Sequence, residues 1–292
     1  MNGGTQMHSA SAKELPMGTQ TIPKRFRGMR EITEAERTLP PPLHLKSYGP
    51  ETFDLETSTV WSFPQRGNWA THAGNYRGNW PPQVPRNIIL RYSKPGETVL
   101  DQMVGSGTTL IECRLLGRAG IGVDISERAI AITRDRLNFD ALAPEPLVQR
   151  TYLGDARNLD QIPDESVDLI ATHPPYADII RYSEEPSRGD ISHIHDVSAF
   201  KTAMTGVAVE SLRVLKRGKY AAILMGDTRR RGAYVPLAYA TMDAFLGAGF
   251  ELREDIIKLQ WNCAATSAWR ARSLANNFHL IAHEHLFIFR KR

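Results

Sequence analysis

The chain has 292 residues, 41% of them hydrophobic, which is enough for one large α/β domain with appendages. No segment approaches the roughly 18 apolar residues of a membrane-spanning helix. Residues 1–20 also lack the apolar core of a signal peptide, so we expect a cytoplasmic protein without a membrane partner. Two cysteines, Cys113 and Cys263, make neither a disulfide framework nor a zinc cluster. The net charge of +4 is compatible with a polyanionic partner but does not require one.

The first 56 residues are expected to form an N-terminal arm, partly flexible, ahead of a single domain over residues 57–292. The arm is poor in periodic apolar residues and contains a basic cluster around one aromatic side chain, residues 24–30, and three consecutive prolines. Such a cluster can lie along a phosphate backbone. A solvated, partly disordered tail is at least as consistent with the composition.

A glycine-rich turn follows the first strong strand signal. Residues 84–92 predict a helix with Pro85 in its first turn, and residues 99–101 predict a strand. The strand leads into Gly105-Ser106-Gly107 and then a helix that ends near Leu116. Glycines let a nucleotide cofactor approach the backbone, and a helix N-terminus offers free N–H groups. No lysine follows the second glycine, so the turn is not a Walker loop.

Acidic residues follow the next two predicted strands. Asp124 ends the second strand, at the position where a sheet of this kind holds a ribose diol, although it can also cap the helix predicted over residues 127–138. Asp155 follows the third strand, around residues 148–153. It can accept the exocyclic N–H of an adenine or serve only as a turn residue.

The fourth strand, residues 167–171, runs into His173-Pro174-Pro175-Tyr176. Two prolines cannot continue the strand because neither has an N–H, and their carbonyls stay free as acceptors. Free carbonyls beside an aromatic ring suit a planar base that carries an amino group. The alternative is a proline-rich loop with a buried tyrosine, and the cofactor signals upstream favour the base-binding interpretation.

The rest of the chain alternates between predicted elements and two predicted recognition loops, residues 177–196 and 261–279. Arg181 lies in the first loop, Arg270 and Arg272 lie in the second, and Arg229, Arg230 and Arg231 occupy a turn between them. We expect these arginines to contact nucleic acid, with a merely solvated turn as the alternative for the triple arginine. The remaining elements are predicted as helices over 196–216 and 234–246 and strands over 220–225, 249–260 and 280–289, the last with the alternation of an antiparallel edge strand.

The order of these motifs resembles the amino-directed DNA methyltransferases. The resemblance rests on Asp101 with the turn Gly105-Ser106-Gly107-Thr108-Thr109, then Asp124 and Asp155, then Pro174-Pro175-Tyr176, and it covers about residues 79–289. It implies an α/β fold, a seven-stranded Rossmann-like sheet with an antiparallel last strand and helices on both faces. It also implies S-adenosylmethionine as cofactor, with Trp80 and the helix after it closing over the methionine end.

Two departures from the family pattern bear on the chemistry. Asp101-Gln102-Met103 stands where the family usually has Asp-Pro-Phe, and His173 stands where the family has Asp, Asn or Ser to accept a proton of the target amine. A neutral imidazole can accept such a bond, whereas an imidazolium cannot. The identity of the amine acceptor, and of the amine itself, therefore stays open.

The resemblance implies methyl transfer to N6 of adenine or N4 of cytosine in DNA, with the base flipped out of its stack onto Tyr176. A cognate restriction enzyme is a candidate partner, and the oligomeric state stays open.

Methylation at cytosine C5 is disfavoured because neither cysteine follows a proline. The alternatives are an RNA N-methyltransferase of the same fold and a non-catalytic nucleic-acid-binding relative. No metal is expected, since His72, His193 and His195 lack a partner at ligand spacing.

Overall fold

The computed structural model describes residues 28–33, 40–140, 147–176, 190–194, 196–230, 232–262 and 266–292, and of residues 266–268 only the backbone. Several predictions therefore fall outside the described residues, namely those on Arg181, Arg231, His195, Cys263, most of the basic cluster and most of the loop 177–196.

A nine-stranded mixed sheet forms the centre of the molecule. Its strands are β1 (Arg30–Glu31), β2 (Val60–Trp61), β3 (Thr98–Asp101), β4 (Ala119–Asp124), β5 (Gln149–Leu153), β6 (Val167–Thr172), β7 (Leu215–Met225), β10 (Glu251–Leu259) and β11 (His283–Arg290). A separate hairpin consists of β8 (Thr228–Arg230) and β9 (Ala233–Val235). The helices are α1 (Gln83–Tyr92), α2 (Thr108–Leu115), α3 (Glu127–Leu137), α4 (Val197–Val214), α5 (Leu237–Ala248) and α6 (Thr266–Ala275).

The strand order is β1-β5-β4-β3-β6-β7-β11-β10-β2. Without the two-residue edge strands β1 and β2, seven strands remain, and the last of them in the chain, β11, is antiparallel to both of its neighbours. The predicted seven-stranded sheet with an antiparallel last strand is confirmed. Parallel strands β3, β4, β5 and β6 end at one edge of the sheet, which is where their connecting turns meet.

The prediction that residues 280–289 form an edge strand is wrong. β11 lies inside the sheet, between β7 and β10, and its six middle residues are buried. Both of its faces are covered, with Phe287 and Phe289 in one hydrophobic cluster and Leu286 and Ile288 in the other. A strand buried on both faces needs no alternation of apolar and polar residues.

Helices cover the sheet on both sides. Residues of α4 and α5 pack in one cluster with Leu100, Val123 and Ile170 of the sheet. Residues of α1 and α2 pack in the other cluster with Val99, Leu169 and Leu286. Within the described chain, no helix is both long and apolar enough to cross a membrane.

Two predicted segments differ in the structure. The predicted loop over 261–279 contains helix α6, and the helix predicted from residue 234 begins only at Leu237, because Tyr234 belongs to β9 and Pro236 precedes the first turn. In the N-terminal region, Met29 is buried in the core and β1 pairs with β5.

Candidate active site

A cavity opens at the carboxyl ends of the central strands, with about 920 Å³ of space between its walls when the open solvent at its mouth is included. Its walls come from the glycine-rich turn, the ends of β4, β5 and β6, the loop before α1, and Asp190-Ile191. Nine residues predicted to bind cofactor or target line it: Trp80, Asp101, Gly105, Ser106, Thr108, Asp124, Asp155, His173 and Pro175. Four predicted residues are not among the lining residues, namely Gly107, Thr109, Pro174 and Tyr176.

The glycine turn adopts a conformation that favours glycine at both positions. Gly105 has φ +54° and Gly107 has φ +83°, in the left-handed region. A Cβ on Gly107 would also lie 2.9 Å from Cγ2 of Thr133 on α3, so the turn packs directly on that helix. The Thr133 hydroxyl donates to the Gly105 carbonyl over 3.0 Å. The turn is therefore fixed in place before any ligand binds.

Asp124 connects the turn to the next helix. One carboxylate oxygen accepts from the Gly105 N–H and the other from the Ser126 N–H, each over 2.9 Å. Each oxygen keeps a second lone pair, which suits a vicinal diol at the cavity wall. Burial raises the pKa of Asp124 to about 6, although the hydrogen bonds from the two backbone N–H groups lower it. This carboxyl therefore changes its protonation in mildly acidic solution.

Asp101 holds two strand ends together. Its carboxylate accepts from the hydroxyls of Thr109, at the start of α2, and Thr172, at the end of β6, and also from the Met103 N–H. Burial raises the pKa of Asp101 to about 6, although these three hydrogen bonds lower it. Thr109 thus supports the site from behind the cavity wall.

Asp155 has a partner that the sequence did not reveal. The Arg157 guanidinium donates to both of its oxygens, over 2.9 Å and 2.6 Å, and the Arg157 N–H donates to the first as well. Asp155 lines the cavity, but most of its acceptor capacity is used within its own turn. Its role as the acceptor of an adenine amine remains a prediction.

His173 lies under the ring of Trp80, with ring centroids 5.7 Å apart and an interplanar angle of 28°. Both rings line the cavity together with Pro175. Burial lowers the pKa of His173 to about 4; the nearby Glu284 charge raises it, the Lys258 charge lowers it, and the Gly78 backbone raises it. The imidazole is therefore neutral at pH 7, which is the form that can accept a hydrogen bond.

Tyr176 is turned into the protein, with 8% of its surface exposed. Its hydroxyl hydrogen-bonds the carboxylate of Glu284 and lies 2.9 Å from Nε2 of His173. Lys258 donates to the other oxygen of Glu284 over 2.7 Å. Sequence reasoning missed Glu284 and Lys258; the available signal was Lys258 inside the apolar run at the end of β10, whereas Glu284 lies between two histidines and gave no such signal.

The loop before α1 is anchored by a buried carboxylate. Glu112 on α2 accepts from Trp69 Nε1, His72 and Arg86, each over 2.7 Å. Burial lowers the pKa of His72, so this ring is held neutral. This network fixes the segment that carries Tyr76, Asn79 and Trp80 into the cavity wall.

His72 therefore has a structural partner, the buried Glu112 carboxylate. His193 lies 3.6 Å from Asp190. The described residues contain no group of three or more His, Cys, Asp or Glu side chains arranged to hold a metal ion.

Two of the predicted arginine groups belong to one surface. Arg229 in β8 donates to the His279 carbonyl over 3.1 Å, and its guanidinium lies over the rings of Tyr234 and Phe278. These contacts tie the hairpin to the segment after α6. Arg270 and Arg272 are exposed on that helix, with Arg272 over the Trp269 ring.

The comparisons with known proteins agree with the motif order. A family model described as "DNA methylase" matches residues 11–135, and a second, described as "RMKL-like, methyltransferase domain", matches residues 89–188. The chain is 36% identical over 115 residues to the Type II methyltransferase M.HpaI of Haemophilus parainfluenzae, covering 33% of this chain and 35% of that protein. It is 35% identical over 102 residues to a tRNA (guanine(10)-N2)-dimethyltransferase of Methanothermobacter thermautotrophicus, covering 35% of this chain and 29% of that protein.

Among solved structures, TrmN from Thermus thermophilus is 19% identical over 74% of this chain and 50% of that one, with a TM-score of 0.49. The alignments with these two curated relatives span about a third of each relative's length. Motif order and family matches define the class, the S-adenosylmethionine-dependent methyltransferases. Within this class, the matched residues are similar to a DNA methylase family model and to relatives named as Type II methyltransferases.

S-adenosylmethionine is the cofactor of this class, and the cavity fits it. The glycine turn exposes backbone to the ligand, Asp124 offers lone pairs for the ribose diol, and Met103, Val104 and Ile125 supply apolar wall for a purine ring.

Proposed function

We propose that this protein methylates the exocyclic amine of a DNA base, N6 of adenine or N4 of cytosine. The observation that carries the proposal is that His173 and Pro175 line the same cavity as Gly105 and Asp124. A base amine held at the first pair therefore faces a methyl donor held at the second. The glycine turn and two residues of the His-Pro-Pro-Tyr segment thus open into one cleft, while Tyr176 lies outside its lining.

S-adenosylmethionine, when bound, supplies a methyl group on a sulfonium, whose S–C bond breaks as the amine nitrogen forms its new N–C bond, leaving a neutral thioether. The chain's task is to position the amine in line with that bond. His173 and the Pro174 carbonyl accept the amine N–H bonds, which directs the nitrogen lone pair at the methyl group. The amine's surplus proton then leaves to His173 or to solvent.

The target base must leave its stack to reach this cleft. We propose Tyr176 as the ring against which it stacks, with Trp80 on the opposite side of the entrance. In the described structure Tyr176 is buried and does not line the cavity, so stacking on it requires the ring to become exposed to the base. The half-buried arginines of the hairpin and the exposed arginines of α6 are proposed to contact the DNA phosphates.

Methylation of RNA is the second candidate. It is favoured by one observation, the similarity to a tRNA (guanine(10)-N2)-dimethyltransferase over 102 residues. The relatives named as Type II methyltransferases favour DNA, and pairing with a restriction enzyme belongs to the same proposal.

The test is to incubate the protein with methyl-labelled cofactor and either duplex genomic DNA or total RNA, digest the nucleic acid, and identify the labelled nucleoside. N6-methyladenine or N4-methylcytosine in DNA is the expected product. Label in RNA alone would replace the proposal by its second candidate. Cofactor binding by calorimetry without label in either would mark a non-catalytic relative.

A further inference from the structure

Lys258 and Glu284 form an ion pair inside the sheet. They lie directly opposite each other on β10 and β11, both are more than nine-tenths buried, and Nζ lies 2.7 Å from Oε2. Replacing such a pair by apolar side chains is often neutral or stabilising, so its presence is not explained by stability. The second oxygen of Glu284 is occupied by the Tyr176 hydroxyl, which connects the pair to the cavity.

The proton positions along this chain of groups follow from Glu284. Burial raises the pKa of its carboxyl, but the Lys258 charge and the hydrogen bonds of Lys258 and Tyr176 bring it below the ordinary value. An ionised carboxylate only accepts, so the Tyr176 hydroxyl donates its single proton to Glu284. The Tyr176 oxygen must then accept from His173, which places a proton on His173 Nε2.

This leaves the other nitrogen of His173 as an acceptor. The neutral ring carries one proton, and Nδ1 is buried without a partner at hydrogen-bond distance and angle among the described residues, the Gly78 backbone included. The groups that face the ring are Trp80, Tyr176, the Lys258–Glu284 pair and the Gly78 backbone. His173 lines the cavity, and Nδ1, although buried, is the ring nitrogen left to accept from a ligand N–H there.

We propose that the Lys258–Glu284 pair is a positioning device that fixes His173, through Tyr176, as the Nε2–H tautomer, so that Nδ1 accepts an N–H of the target amine. The inference rests on the proposed function, in which His173 orients that amine. An Asp, Asn or Ser at this place offers an oxygen acceptor in any protonation pattern. A histidine accepts a hydrogen bond only at its unprotonated nitrogen. It therefore needs a partner that determines which of the two nitrogens carries the proton.

The direct test is the tautomer itself. Long-range nitrogen–proton NMR of histidine-labelled protein distinguishes the two neutral tautomers, and His173→Gln identifies the signal. We expect a neutral ring protonated on Nε2 at pH 7.

In Glu284→Gln the new amide donates to the Tyr176 oxygen. The phenol proton is then free to turn toward His173 Nε2, which shifts the ring proton to Nδ1. We expect kcat to fall by up to about 100-fold, with cofactor affinity unchanged.

A double variant tests whether the loss of activity in Glu284→Gln comes only from misfolding. Lys258→Met with Glu284→Gln removes both charges together, so none is left unpaired in the sheet. It is expected to melt close to the wild-type temperature and to show the same tautomer shift and the same loss of kcat. Asp255→Asn is the matched control, because Asp255 pairs with His285 on the same two strands and its recorded partners do not include Tyr176.

A wild-type His173 protonated on Nδ1, or variants that keep both the Nε2–H tautomer and kcat, would overturn the inference. The tautomer is read without any substrate, so its outcome is separate from that of the proposed function. If the tautomers are as expected but no DNA is methylated, only the proposed function is wrong. If DNA is methylated but the wild-type ring carries its proton on Nδ1, only this inference is wrong.

Discussion

The ring of Tyr176 lies so close to the α-carbon of Gly226 that a methyl group added there would come 2.7 Å from ring carbon Cε2 and 3.0 Å from the hydroxyl. Gly226 directly follows β7, and its missing side chain is what lets the phenol reach Glu284 on the neighbouring strand. The geometry of the His-Pro-Pro-Tyr segment therefore depends on a glycine 50 residues away in the chain.

Gly226→Ala is expected to displace a rigid ring and cost about 1–3 kcal/mol of stability, because the overlap is with an aromatic ring that cannot yield by rotation. Methyl transfer should fall by about 100-fold, while calorimetry with cofactor should stay near wild type. Gly247→Ala is the control, since nothing lies within 4 Å of its Cβ on α5, and it should stabilise by about 0.5–1 kcal/mol. Equal activity of the two variants would contradict the packing argument.

Tyr176→Ala should abolish transfer and spare cofactor binding, because the ring is proposed to stack the base and does not line the cofactor cavity. The measurements are single-turnover transfer and cofactor calorimetry on the same preparation. Transfer near the wild-type rate would remove Tyr176 from the proposed mechanism.

Cofactor affinity is expected to fall as the pH is lowered through about 6. Folding raises the pKa of Asp124 from 3.8 to about 6, so the carboxylate that accepts hydrogen bonds is present above that pH and protonated below it. Asp124→Asn should weaken binding by about 10- to 100-fold at pH 7.5, the value of a charge-assisted bond. Calorimetry between pH 5 and 8 measures both effects. Any pH dependence that the variant retains reports on Asp101, whose pKa is raised in the same way.

Glu112→Gln is expected to destabilise the protein by about 3–5 kcal/mol, because it removes a buried carboxylate on which Arg86 and two further donors converge. Thermal unfolding measures the loss. Asp243→Asn, which breaks the exposed pair with Lys201, is the comparison and should change stability by less than about 1 kcal/mol. Similar melting temperatures for the two variants would show that the Glu112 network does not hold the loop.

Replacing Arg270 by Ala should weaken DNA binding uniformly across sequences and reduce the slope of log affinity against log salt by about 1, as loss of one phosphate contact does. Fluorescence anisotropy at several salt concentrations gives the slope. Lys201→Ala, on α4, is the control for general charge. An unchanged slope for the Arg270 variant would place the DNA elsewhere.

The local sequence by itself determined the cofactor edge of this protein. The glycine turn, Asp124 and the His-Pro-Pro-Tyr segment each follow a short apolar strand, and parallel strands bring their carboxyl ends to one edge of the sheet. Short-range signals and one general rule of topology were therefore enough to place these groups around a common cavity.

Tertiary structure alone decided what those groups contact. Three features do not follow from any local sequence pattern. They are the position of β11 between β7 and β10, the hydrogen bonds of Arg157 to Asp155, and the hydrogen bonds that connect His173 through Tyr176 to Glu284. Tyr176 and Glu284 are 108 residues apart, and they meet because the order of strands places one beside the other. Burial then supplies the free-energy penalty that forces each polar atom to find a partner there.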